Sequence, residues 1–209
     1  MNGLFINLSQ ESFIYNAGVL LEKMVKQKKI VIIRGLVTAG KSTTSYELAK
    51  VLPGWIFIDA WKIKEMFEPL NLKDRTPLKT ASKKAMITIM KEVMTSLGIN
   101  ILAQETSRSY LMKHLRDYLS KYNYKIYSFF LDVEYKDVIK RDIQREKPTM
   151  FKRGLSEKTW KKGRVRPEKG DVIINTSRHN TKEVIDMILK TIGEKRRNHP
   201  RAQWIRKAW

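Results

Sequence analysis

The stretch GLVTAGKST, residues 35 to 43, carries the residue types and spacing that can grip a polyphosphate. Gly35 and Gly40 permit backbone conformations closed to other residues, so consecutive N–H groups can turn inward toward phosphate oxygens. Lys41 sets a positive charge beside the β and γ phosphates, and Ser42 offers a hydroxyl to Mg²⁺. Thr38, Ala39 and Thr43 complete the loop, and the helix that follows aims its positive end at the same anion. A nucleoside triphosphate is the expected ligand; an ordinary helix-capping turn is the alternative.

Asp59, Glu105, Arg141 and Arg145 are the side chains that can act on such a ligand. Asp59 ends an apolar run, where a carboxylate can accept the proton of an attacking hydroxyl or simply cap the next helix. Glu105 ends another such run and is open to two readings, a Mg²⁺-associated carboxylate or a partner for an arginine. Arg141 and Arg145 fall one turn apart on one helix face. They can close over a transferring phosphoryl group, or form a solvated basic face balanced by Asp137 and Asp142. Lys62 and Arg108 are candidates for holding the acceptor.

These groups need a scaffold, and the hydrophobic pattern supplies one. Ile30 to Ile33, Trp55 to Ile58, Ile99 to Ala103, residues 125 to 133 and Asp171 to Ile174 read as five strands. Helical patterns alternate with them: one after Lys41, one from Thr80 to Leu97 with Met86, Ile89, Met90, Val93, Met94 and Leu97 as its apolar stripe, and one burying Leu111, Leu115 and Leu119. Another starts at Thr181 and buries Val184, Ile185, Ile188 and Ile192. Gly98 and Ser107 are placed to stop one helix and cap the next. Alternating strands and helices predict an α/β domain with a parallel sheet, its ligand crevice at the carboxyl ends of the strands. Residues 1–27 read as an amphipathic helix on the sheet's flank, and 28–193 as the domain itself. Within the domain, about 141–170 is a basic lid, and 194–209 is a basic tail with Trp204 and Trp209.

The chain has 209 residues, no cysteine and three scattered histidines, which excludes disulfides and thiolate chemistry and argues against a zinc site. Forty-two Lys and Arg face twenty-one Asp and Glu, a net charge of +21. That excess points to a polyanionic partner, nucleic acid first, with RNA ahead of DNA. A lysine-rich surface without such a partner is the alternative. No apolar run reaches a membrane span and no signal pattern opens the chain, so a soluble cytoplasmic protein is expected.

On GLVTAGKST (35 to 43), FIDAWK (57 to 62), QETS (104 to 107) and LDVEYKDVIKRDIQRE (131 to 146), the chain resembles P-loop kinases of the nucleotide-kinase-like group. Within that group it is most similar to phage-type 5′-hydroxyl polynucleotide kinase domains and their zeta-toxin and phosphotransferase relatives. The resemblance covers roughly residues 28 to 192. It implies a three-layer α/β/α fold, ATP and Mg²⁺ as cofactors, Asp59 as general base, Lys62 as a substrate-phosphate contact and Arg141 and Arg145 as lid arginines. It implies transfer of the γ-phosphate to a hydroxyl of RNA or DNA; a small-molecule kinase, or a nucleic-acid-bound NTPase without an acceptor, are the alternatives. The family carries arginine where Lys62 stands, and an aspartate-threonine pair where this chain has Glu105-Thr106.

Overall fold

The uninterrupted run Ile30 to Ile33 is fully buried and forms the middle of a central strand. A strand covered on both faces must be apolar throughout rather than alternating. In the computed structural model, which describes residues 27–67, 76–104, 106–144, 156–163 and 165–197, this strand is β1 (Lys28–Gly35). The elements that follow are α1 (Lys41–Val51), β2 (Ile56–Asp59), α2 (Ala60–Glu65) and α3 (Thr76–Glu92), then β3 (Ile101–Gln104) and α4 (Arg108–Lys121). After them come β4 (Tyr124–Asp132), α5 (Tyr135–Ile143), α6 (Glu157–Gly163), β5 (Asp171–Asn175) and α7 (Thr181–Ile192). The expected N-terminal helix, Glu105, residues 145–155 of the expected lid with Arg145 among them, and the tail beyond Arg197 lie outside the described residues.

The five strands form one all-parallel sheet in the order β2-β3-β1-β4-β5. Successive side chains of β1 point to opposite faces. Val31 and Ile33 accordingly join a core with Leu48, Phe129, Leu131, Val184 and Ile188 under α1 and α7. Ile30 and Ile32 join a second core with Met86, Met90, Leu111 and Leu115 under α3 and α4. These are the three layers expected. The chain leaves β1 toward β2 on one side and later crosses to β4 on the other, so the strand order reverses at β1. Ligands of open α/β sheets bind at such a point, outside the carboxyl ends of the strands.

The sequence reading needs correction at one helix. The helix read from Thr80 begins earlier: α3 starts at Thr76 with Pro77 in its first turn, where a missing N–H costs nothing. Its α-helical part stops at Glu92, and Val93–Leu97 forms a π-helical turn closed by Gly98, whose N–H donates to the Val93 carbonyl. The wider turn shifts the phase of the stripe. Met86, Met90, Val93 and Met94 are buried as expected, but Ile89 and Leu97 are exposed, and Ile87 takes a core position instead.

Helix α6 rests on the domain through Trp160, which is buried against Tyr135 of α5 with ring centroids 5.4 Å apart. Its exit is tied down by charge. Arg34, the residue before the phosphate loop, donates to Asp171 Oδ2 at 2.5 Å and pairs with Glu168 at 3.0 Å. Glu168 in turn accepts hydrogen bonds from Ser107 Oγ, Ser109 N and Ser109 Oγ, each at 2.7 Å. Burial pushes the Glu168 carboxyl up, but the serine hydrogen bonds and Arg34 outweigh it and hold it below the ordinary glutamate value. A carboxyl depressed on folding stabilises the protein above its unfolded pKa, about 4.3, and that contribution is lost as pH falls through the folded value. Thermal melting followed from pH 6 to pH 3 should therefore drop less steeply in Glu168→Gln than in the parent.

Candidate active site

The loop after β1 has the geometry that its glycines predict. Gly35 has φ +141°, and a Cβ built there would lie 2.2 Å from the Leu131 carbonyl oxygen. Thr38 and Gly40 also take positive φ, and Gly40 ends the loop at the start of α1. No side chain caps that helix and its first turn holds no acidic residue, so its N–H groups and dipole are directed at the crevice. Lys41 is buried, its Nζ donating to the Leu36 carbonyl at 2.8 Å, which holds the ammonium over the loop. Ser42 and Thr43 are exposed at the helix start. Thr38 Oγ1 is buried with no hydrogen-bond partner among the described residues, an arrangement that a phosphate oxygen can relieve.

Asp59 stands where β2 ends, on the same rim, and is 7% exposed. It does cap α2: Oδ1 accepts the Trp61 N–H at 2.9 Å. Its other oxygen, Oδ2, faces two donors at 3.4 Å, the Tyr46 hydroxyl and Gln104 Nε2. Tyr46 packs edge-on against Phe57, and burial together with the Asp59 charge pushes its phenol up to about 12, so it stays a donor. Gln104 also donates to Ser42 Oγ at 3.1 Å. A single carboxamide thus connects the proposed base to the loop's hydroxyl.

Neither Gln104 nor Tyr46 stood out in the sequence as a site residue. Tyr46 read as one position of an apolar helix face. Gln104 carries a weak signal, since it ends β3 on the active rim as Asp59 ends β2, and the two are register partners.

Arg141 lies on the opposite flank of the loop. It donates to the Thr38 carbonyl at 3.3 Å, to Thr176 Oγ1 at 3.1 Å and to the Thr176 carbonyl at 2.6 Å. It is therefore fixed to the phosphate loop rather than part of a solvated face, and Asp142, read as a surface counter-charge, is fully buried. Arg141 shares a cavity of about 440 Å³ with Thr38, Gly40, Thr43, Thr176 and His179. On the Asp59 side lies a second cavity of about 530 Å³, lined by Ile56, Ile58, Ile63, Met66 and Ile89 around Asp59 and Lys62. Lys62 pairs with Glu65 at 2.9 Å. Arg108 is not brought to either cavity. It donates to the Lys169 carbonyl and borders a groove of about 810 Å³ with Lys113, Arg116, Asp117 and Gly170.

The strand order, the loop geometry and the rim placement of Asp59 settle the fold. The chain has the fold of the P-loop kinases. The tunicamycin resistance protein of Deinococcus radiodurans superposes with a TM-score of 0.62 at 16% identity, covering 83% of this chain and 100% of the other. The APS kinase of Mycobacterium tuberculosis, solved with AMPPNP and APS, gives 0.58 at 12% identity, covering 80% and 99%. A sugar kinase from Janibacter gives 0.50 at 17% identity, covering 80% and 95%. No protein-family model matches the sequence, and no curated protein matches it. The likeness lies in the P-loop kinase architecture and does not single out the polynucleotide kinases.

Among the described residues no group of three or more His, Asp or Glu can hold a metal, and no helix is long and apolar enough to cross a membrane. A lone hydroxyl fits Mg²⁺ when the ion arrives with its nucleotide, because that ion keeps most of its water and takes few protein ligands. Ser42 would supply the hydroxyl, and Gln104 Oε1, buried and without a partner among the described residues, would offer an acceptor near it.

Proposed function

We propose that the chain is an ATP- and Mg²⁺-dependent phosphotransferase that moves the γ-phosphoryl group to a hydroxyl of a small organic molecule. The observation that carries this reading is Asp59, buried on the rim and joined through Gln104 to Ser42 of the phosphate loop. A nucleotide-binding switch needs no base for an attacking alcohol.

The two cavities divide the work. The nucleoside side falls to the cavity on the β5 flank, where Arg141 is fixed to the Thr38 and Thr176 carbonyls and can neutralise phosphate charge. Loop amides and Lys41 hold the β and γ phosphates. Ser42 would hold the Mg²⁺ that arrives with the nucleotide, and the ion would supply charge neutralisation there. The acceptor enters the cavity beside Asp59, whose Oδ2 takes the hydroxyl proton as the oxygen attacks the terminal phosphorus and ADP departs. Tyr46, Trp61 and Gln104 hold the carboxylate in place through their hydrogen bonds.

The lining of that cavity supports a small acceptor. It is mainly aliphatic, and its lysine is already engaged by Glu65, so it suits an uncharged alcohol better than a phosphodiester chain. The names of the three structural neighbours likewise refer to small molecules and not to nucleic acid. A 5′-hydroxyl polynucleotide is the second reading, favoured by the net charge of +21 and by the basic groove along α4. Incubation with γ-labelled ATP separates them: label should pass to members of a panel of sugars, nucleosides and hydroxylated antibiotics, and not to a 5′-hydroxyl RNA or DNA oligonucleotide. Label on the oligonucleotide alone would establish the second reading. Label on nothing but water would reject both.

Lys41→Ala removes the ammonium without touching Asp59. Transfer should fall by about a hundredfold or more. Calorimetry with AMPPNP should show weakened binding in the same variant.

A further inference from the structure

Gln104 occupies the end of β3, is 1% exposed, and lies 45 residues from Asp59 and 62 from Ser42 in sequence. Its amide orientation is dictated by chemistry: an ionised Asp59 can only accept, so the nitrogen must face it. A carboxamide nitrogen carries two hydrogens. Here one is directed to Ser42 Oγ at 3.1 Å and the other to Asp59 Oδ2 at 3.4 Å. Oε1 is left buried with no partner among the described residues, a costly arrangement in a core position that nothing about packing requires. An apolar residue of that size would fill the same space without it.

We infer that Gln104 is a positioning residue that spans the two halves of the site, fixing the Asp59 carboxylate at a set distance from the Ser42 hydroxyl that meets the metal-bound nucleotide. The inference rests on the phosphotransfer reading above. A neutral amide is suited to the task where a carboxylate is not. An ionised glutamate at this position cannot donate to Asp59 and sets a like charge against it, whereas it can still accept from the Ser42 hydroxyl. Oε1 remains free to accept from a water of the Mg²⁺ shell. The bridge is long in this state, and such contacts tighten when reactants are bound.

Two near-isosteric variants test the inference. Gln104→Glu keeps a partner for Ser42 and loses the donor to Asp59, while Gln104→Met loses both. Mg·AMPPNP binding is measured by calorimetry, melting by scanning fluorescence, and transfer with whichever acceptor the panel above labels. Gln104→Glu should bind Mg·AMPPNP within about threefold of the parent while its kcat drops about tenfold or more and the acceptor KM stays level. Gln104→Met should lose both binding and kcat, and should melt no lower than the parent, since it removes a buried unpartnered oxygen. Parent-like kcat in both variants, or kcat falling only with the folded fraction, overturns the inference. Asp59→Asn serves as the control: if it is inactive while both Gln104 variants are normal, the bridge alone is wrong. If Asp59→Asn is itself fully active, the base assignment fails and the bridge falls with it.

Discussion

Asp59→Asn should bind Mg·AMPPNP as tightly as the parent while turnover falls about a hundredfold or more. Asparagine has the same shape, and its side-chain oxygen can still accept the Trp61 N–H that caps α2. The cap and the fold are therefore preserved, and the deficit isolates proton removal. The variant places an amide where Oδ2 stood, opposite Tyr46 and Gln104, both of which are donors in this structure. A small loss of stability is expected from that mismatch, on the order of 1 kcal/mol. Single-turnover phosphate transfer beside calorimetry makes the distinction: parent-like transfer rates would sink the assignment of Asp59, whatever the acceptor.

Gly35→Ala should be the most damaging single methyl group among the described glycines. Its Cβ would lie 2.2 Å from the Leu131 carbonyl oxygen and 2.8 Å from the Leu131 nitrogen, all backbone of the paired strand β4. No side chain can rotate aside to make room. The residue also sits at φ +141°, which L side chains rarely adopt. Relief requires β1 and β4 to separate at the loop, and we expect a cost of about 3 kcal/mol or more. Urea denaturation should show the shift, with nucleotide affinity lost in whatever fraction remains folded. Gly40→Ala is the informative contrast. Its φ of +86° is also unfavourable, but a Cβ there meets nothing within 4 Å, so only backbone strain is incurred.

The scaffold was legible where local pattern and global position agree. The apolar run of β1, the glycine spacing and the amphipathic repeat of α7 each state their role within a dozen residues. Asn180 and Glu183 show this well, a reciprocal capping box at the start of α7 whose residue types announce it. The phosphate loop was legible for the same reason. What the sequence could not give was anything arranged across strands. Gln104 is one polar residue at the end of a short strand, and its meaning comes from partners brought in by the β2-β3-β1 order. The fixed position of Arg141 depends on Thr176, which follows β5, and no spacing rule links the two. The start of α3 was missed because Pro77 reads as a breaker unless it is known to stand in a first turn. Exposure of Leu97 was missed because a π-helical turn interrupts a stripe that assumes a constant 3.6-residue period, whereas Ile89 lies before that turn, at the margin of the buried Met86, Ile87 and Met90 face. The nucleic-acid acceptor was expected from charge. Net charge reports the whole surface, whereas the acceptor site we propose is the cavity beside Asp59, whose lining is mostly aliphatic.

The anchoring of Glu168 to Ser107, Ser109 and Arg34 sets a leash on α6. From Gly163 to Glu168 a fully stretched backbone reaches no farther than about 18 Å. The C-terminal end of that helix therefore lies within this radius of the mooring. Because Arg34 immediately precedes Gly35, the mooring of this segment and the root of the phosphate grip share one stretch of backbone.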